Sequence, residues 1–319
     1  MRFLSHAILV ALVCAWAFAA AAAPRVIATI SPIHSLTAAV MAGVGTPKLL
    51  LPPGVSPHTY TLRPSDARAL AQADVVVWIG KSLEAFLAKP LATLAAKAKK
   101  VELSEAPGLI TFGTRTTGIW VDQDEDGAGD HQEEAEAKSF SHRHHGGTDP
   151  HIWIDPQNAQ MMVQAIAAAL IQADPGNAET YEINAETLRT KLAALDRDVA
   201  KKLQSVKTRP FVVFHDSYQY LERRYHLNAL GTITSNPDTQ PGAKHVAELR
   251  ARLAGSNGVC LFKEPQFSPS MAQMLAHETR ARLATLDPLG SDIEPGPNAY
   301  FIMMTRLSDG LHDCLAALP

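Results

Sequence analysis

From Ala178 to about Val206 the chain carries an unbroken helical pattern, with Leu188, Leu192, Leu195, Val199 and Leu203 on one face. A helix of that length spans about 40 Å at 1.5 Å per residue, enough to run as a rigid backbone along two packed units. The sequence on either side of it supplies two such units. Before it, apolar strand segments at Arg25–Ile30, Lys48–Leu51, Asp74–Gly80 and Lys100–Leu103 alternate with helical stretches at 34–42, 64–72 and 83–97. After it, strands at Phe211–Phe214, Leu227–Ile233, Val259–Phe262 and Arg282–Leu286 alternate with helices at 217–225, 242–254 and 268–280, and a last helix runs from Tyr300. Strands alternating with helices predict α/β architecture with mainly parallel sheets. The expected fold is therefore two α/β lobes, 24–173 and 209–319, joined by a long helix in 174–208. A third helical pattern, Pro156–Ala173, precedes the joining helix. Ser31-Pro32 is expected to cap the helix that begins near His34, and Asp216 the one that begins at Ser217.

Two segments fall outside this alternation. Residues 1–23 open with Met1-Arg2, continue as an apolar run from Ala7 to Ala22 and end in small residues before Pro24, the pattern of a secretory signal cleaved near Ala22 or Ala23. The run is short for a membrane span. An exported, soluble mature chain is expected. Removal of the signal leaves Cys260 and Cys314, which an oxidising compartment would pair. Residues 122–147 begin acidic (Asp122, Asp124, Glu125, Asp126, Asp130) and end with His142, His144 and His145. With little apolar content they bury no core, and a surface loop that binds metal weakly is expected there. A net charge of -3 gives no footprint for a nucleic acid.

His58 lies in a loop after a strand, His215 at the carboxyl end of a strand, and His151 between two Asp-Pro turns in Asp149-Pro150-His151-Ile152-Trp153-Ile154-Asp155-Pro156. Ligands of open α/β sheets bind outside the carboxyl ends of strands. Three imidazoles meeting there suit zinc, which takes nitrogen donors tetrahedrally at about 2.0–2.1 Å. Asp287, also at a strand end, is a candidate fourth ligand, and water is the other; Asp287 before Pro288 could equally shape a turn. A zinc hydrolase would keep the same three ligands and an open position but needs a base, for which Asp216 beside His215 is the one candidate. No HExxH or comparable constellation is present. His34 is placed in a helix's first turn near the cleft, and His226, His245, His277 and His312 at the surface.

The motifs 54–66 (GVSPHTYTLRPSD), 149–156 (DPHIWIDP), 213–221 (VFHDSYQYL), 264–267 (EPQF) and 285–290 (TLDPLG) run in order across the mature chain. In them the chain resembles the periplasmic zinc-binding receptors of bacterial high-affinity zinc ABC transporters, the ZnuA type. The resemblance implies two pseudo-symmetric lobes with metal in the cleft between them, ligated by His58, His151 and His215. It implies Zn(2+) as transported ligand, a periplasmic location and an inner-membrane ABC permease as partner. No enzymatic activity is implied, and a monomer is expected. The acidic histidine loop and the Cys260–Cys314 pair fit the zinc branch of this family. A surface adhesin is the alternative that shares the same metal site. Pro57 stands where some zinc-branch members carry an acidic residue beside the ligand histidine, so the fourth position stays open between Asp287 and water.

Overall fold

The computed structural model describes residues 23–115, 117–120, 147–235, 237, 239–256 and 258–319. Residues 1–22 of the expected signal therefore lie outside the described residues. Two four-stranded, all-parallel sheets are present. The first contains β1 (Val26–Ala28), β2 (Lys48–Leu49), β3 (Val75–Trp78) and β4 (Lys99–Glu102) in the order β2-β1-β3-β4. The second contains β5 (Phe211–His215), β6 (Ala229–Thr234), β7 (Cys260–Lys263) and β8 (Arg282–Thr285) in the order β6-β5-β7-β8. The two orders correspond strand for strand, so β1 and β5 hold equivalent central positions. The inner strands are continuous apolar runs because helices cover both faces, as parallel sheets require; β3 and β5 are buried along their whole length.

The helices are α1 (Ser31–Val40), α2 (Pro64–Gln72), α3 (Ala88–Thr93), α4 (Pro156–Ala173), α5 (Ala178–Leu203), α6 (Gln219–Tyr225), α7 (Ala243–Ala254), α8 (Ser270–Thr279) and α9 (Ala299–Ala316). The joining helix is α5, 26 residues long. Its buried positions, Tyr181, Ala185, Leu188, Leu192, Leu195, Val199 and Leu203, recur every three or four residues and form one stripe. Burying each large member contributes about 1.5–3 kcal/mol. That stripe packs on α1 and α4 of the first lobe and on α9 of the second. Glu179 in the first turn and Lys201 and Lys202 in the last complement the helix dipole.

The lobes share a core. One continuous apolar cluster runs from Val26 and Val76 through Trp153 and Leu192 to Phe262, Tyr300 and Leu315, and a smaller one lies under α7 and α8. Polar ties cross the same boundary: Trp153 Nε1 donates to Pro288 O (2.8 Å), Tyr300 Oη to Trp153 O (2.7 Å), and Tyr300 N to Ser35 Oγ (2.9 Å). A disulfide joins Cys260, at the start of β7, to Cys314 in α9, with Cα atoms 6.1 Å apart.

Several local expectations are corrected. The helix expected over 83–97 is a 3-10 turn (Ala85–Leu87) followed by the short α3. Pro90 explains the break, since its ring clashes with the carbonyl four residues back and it donates no N–H. Ser31 lies inside α1 rather than capping it; Ile30 holds the cap position and makes no side-chain cap bond. Tyr218 rather than Asp216 holds the cap position of α6, and Asp216 is paired with Arg115. Residues 117–120 lie antiparallel to β6, through Trp120 N to Leu230 O (2.9 Å) and Thr232 N to Gly118 O (2.8 Å), a pairing not anticipated. Gly231 permits it, because a Cβ there would lie 2.4 Å from Gly118 O.

Candidate metal centre

Each of the three histidines is delivered by a different local device. His215 is the last residue of β5, at the carboxyl edge of the second sheet. His58 sits in the loop between β2 and α2, which Pro52 opens and Pro64 closes. His151 immediately precedes a 3-10 turn, Ile152–Ile154, whose three side chains are buried. The turn leads into α4, where Asp155 accepts from Gln157 N (2.7 Å) and Pro156 occupies the first helical position. The second Asp-Pro of the motif is thus a helix start, and the apolar run pins the segment into the shared core.

The three rings meet. Their centroids are 5.5 Å (His58–His151), 5.6 Å (His58–His215) and 5.3 Å (His151–His215) apart. One nitrogen from each lies within 4.8 Å of the others. Tetrahedral zinc would place such donors about 3.4 Å apart at its usual Zn–N distance. The rings line a cavity of about 10 Å³, also lined by Trp153, Gln266, Phe267 and Leu289. His151 and His215 are each 5% exposed, and His58 is half-buried.

Carboxylates orient the two buried rings. Asp149 accepts from His151 Nδ1 (2.7 Å) and from its backbone N (3.0 Å). Glu264, one residue beyond β7, accepts from His215 Nδ1 (2.8 Å). Each bond fixes the proton on Nδ1 and leaves Nε2 with its lone pair for a metal. His151 Nε2 is buried and has no protein partner. Burial disfavours charge on His215, but the facing Glu264 carboxylate outweighs it and the pKa is raised. Among the described residues His58 has no such partner; burial first, then the neighbouring His151 and His215, pushes it down to about 2. Three converging imidazoles, two with Nδ1 bonded to a carboxylate, are nitrogen donors of the kind zinc takes, so the residues fit that ion.

Asp149 and Glu264 were not singled out as functional from the sequence. For Asp149 a local signal existed, since an acidic residue two before a histidine can reach its ring. Glu264 lies 49 residues from His215, and only the adjacency of β5 and β7 unites them.

Asp287 is not among the donors that converge. Its Oδ1 accepts from Gln266 Nε2 (2.6 Å), Leu289 N (3.1 Å) and Gly290 N (3.0 Å), and its Oδ2 from Ser291 N (2.5 Å). Those bonds close the turn after β8. Asp216 is held by Arg115, whose Nε lies 2.9 Å from Oδ2 and whose Nη1 reaches Glu222 Oε2 at 2.7 Å. Burial pushes Glu222 up to about 7 against that cation. His34 is buried away from the three rings, with Nε2 on Pro47 O (3.0 Å). His142, His144 and His145 lie outside the described residues.

A model of the family described as "ZnuA: Zinc-uptake complex component A periplasmic" matches residues 26–314. The chain is 40% identical to the high-affinity zinc uptake system protein ZnuA of Brucella suis biovar 1 over 305 residues, covering 91% of each. It is 36% identical to the protein of that name from Yersinia pestis over 295 residues, covering 92% of each. A zinc-bound ZnuA structure lacking residues 138–173 of its own chain superposes with a TM-score of 0.75 at 24% identity, covering 93% of this chain and all of that one.

Proposed function

Since this chain belongs to the periplasmic zinc-uptake component A family, we propose that it captures one Zn(2+) through His58, His151 and His215. It is a zinc-binding receptor and not an enzyme. It acts outside the cytoplasm, with an ABC transporter as partner. The finer reading is delivery, as a monomer, to an inner-membrane permease after export through the signal in residues 1–23. Among the described residues no helix is long and apolar enough to cross a membrane.

One observation carries the ligand assignment: three imidazoles converge within 4.8 Å, two of them held by buried carboxylates with Nε2 free. The hydrolase alternative loses its base, because Asp216 is tied to Arg115. Asp287 is spent on its turn, which favours water in the fourth position. Three nitrogens with one water suit zinc over manganese, which prefers carboxylate and water oxygens in larger numbers. The test is His151→Ala. We expect zinc affinity to fall by orders of magnitude in chelator competition, with the metal-free circular dichroism spectrum unchanged. One zinc bound at wild-type affinity would refute the assignment.

A further inference from the structure

The cavity's lining is mostly closed to a fourth ligand. Phe267, Pro288 and Leu289 are apolar, the Trp153 N–H is committed to Pro288 O, and Ser56 Oγ accepts from His58 N (3.3 Å). Glu264 is bonded through Oε1 to the Nδ1 edge of His215, away from Nε2; its other oxygen, Oε2, is also buried and without a partner among the described residues. Gln266 likewise ends on a buried oxygen, but it is neutral and held in one orientation. Its Nε2 donates to Asp287 Oδ1 (2.6 Å) and Ser291 Oγ (2.8 Å), so the amide can face only one way. Its Oε1 is then the free end of a side chain that lines the cavity, buried and without a partner among the described residues. A buried acceptor without a donor is destabilising. A bound ligand that brings an O–H would remove that cost.

We propose that Gln266, held by Asp287, is a positioning residue that selects a neutral protic fourth ligand, water, for the bound metal and excludes anions. The inference rests on the three-histidine reading above. Water on zinc has two O–H groups, and one of them would donate to Gln266 Oε1. Chloride or another anion in the same place would bring no donor and would face the amide oxygen's lone pairs. The role of Asp287 is then exercised at one remove. It binds no metal but fixes which end of the Gln266 amide meets the fourth ligand.

Cobalt(II) makes the fourth position visible, since its absorption bands in a tetrahedral site respond to a change of ligand. Wild type, Gln266→Leu and Asp287→Asn are loaded with cobalt and titrated with azide, and their zinc affinities are measured by chelator competition. In Gln266→Leu, azide should bind at least tenfold more tightly and zinc about tenfold more weakly, the range expected for outer-shell partners. Asp287→Asn, which no longer dictates the amide's orientation, should shift both in the same directions by a smaller factor. Unfolding midpoints of the metal-free variants separate these effects from loss of fold. Azide and zinc affinities unchanged in Gln266→Leu would overturn the proposal. So would loss of the tetrahedral cobalt bands in that variant, which would make Gln266 itself a ligand. Failure of the wild type to bind stoichiometric cobalt or zinc would instead remove the three-histidine site on which the proposal stands.

Discussion

Glu264→Gln tests how the buried carboxylates set zinc affinity, and the expected effect changes with pH. Glu264 does two things to His215 across a 2.8 Å bond: it fixes the Nδ1 tautomer and it stabilises the imidazolium. The first favours zinc, because Nε2 is presented with its lone pair and with added basicity. The second opposes zinc in acid, because a proton on His215 must leave before the metal binds. Where His215 is already deprotonated only the first matters, and losing an outer-shell partner of this kind costs about 10- to 100-fold in affinity, or about 1.4–2.7 kcal/mol. His215 has its pKa raised in the folded protein. Wild-type affinity should therefore fall about tenfold per pH unit through a window that opens above the ordinary imidazole value near 6.5. Glu264→Gln removes the largest influence raising this pKa and leaves burial, which lowers it, against the weaker pull of Asp216 and Asp149, so the window opens at lower pH. The variant's deficit should be largest at about pH 8 and narrow toward about pH 5.5. Burial and the neighbouring rings push His58 down, so its share of the proton competition falls at lower pH than that of His215. Chelator-competition titrations at both pH values decide it. A wild-type-to-variant ratio that stays constant with pH, or a variant that binds zinc as tightly as wild type in alkali, would refute the reasoning.

Gly231→Ala should undock residues 117–120 from β6, because the new Cβ would meet Gly118 O at 2.4 Å on a backbone with φ of +156°. A loss of about 1–3 kcal/mol is expected in urea unfolding of the metal-free protein, with faster amide exchange at Trp120 and Thr232; a wild-type midpoint would contradict it. Replacing Cys260 and Cys314 together by Ser reopens a 54-residue separation and should cost about 4 kcal/mol by loop-closure entropy. Zinc affinity should hold in that variant, and unchanged stability under oxidising conditions would count against the entropic account.

The two-lobe architecture was legible because its signals are local. Strands that are apolar throughout, helices with a three-to-four repeat and the stripe on α5 each declare themselves within a few residues. The three histidines could be placed for the same reason, each by its address beside a strand end or an Asp-Pro turn. Asp287 shows where local signals stop. An aspartate before proline at a strand end has the same sequence whether it faces a metal or its own turn, and the outcome depends on the N–H groups of residues 289–291. The short α3 was legible in principle from Pro90, a breaker inside an otherwise helical composition. Gly231 inside a strand likewise signals close approach of another backbone, but which backbone approaches is a tertiary fact.

The three ligands differ in what it costs to move them. His151 and His215 are backed by Asp149 and Glu264, carboxylates that are 2% exposed, so displacing either ring strands a buried charge. Leaving a buried acceptor without its donor in that way costs about 1–3 kcal/mol, and more when the acceptor is charged. His151 is further fixed by the Ile152–Ile154 turn, whose Trp153 ties both lobes together through Pro288 and Tyr300. Swinging the lobes apart would also open the apolar cluster they share. His58 carries none of these costs. It is the most exposed of the three, lies in a loop, and its neighbours in the site are the other two rings rather than a carboxylate. The cheapest opening of the site therefore leaves the core and both carboxylate–histidine pairs intact and moves the loop between β2 and α2.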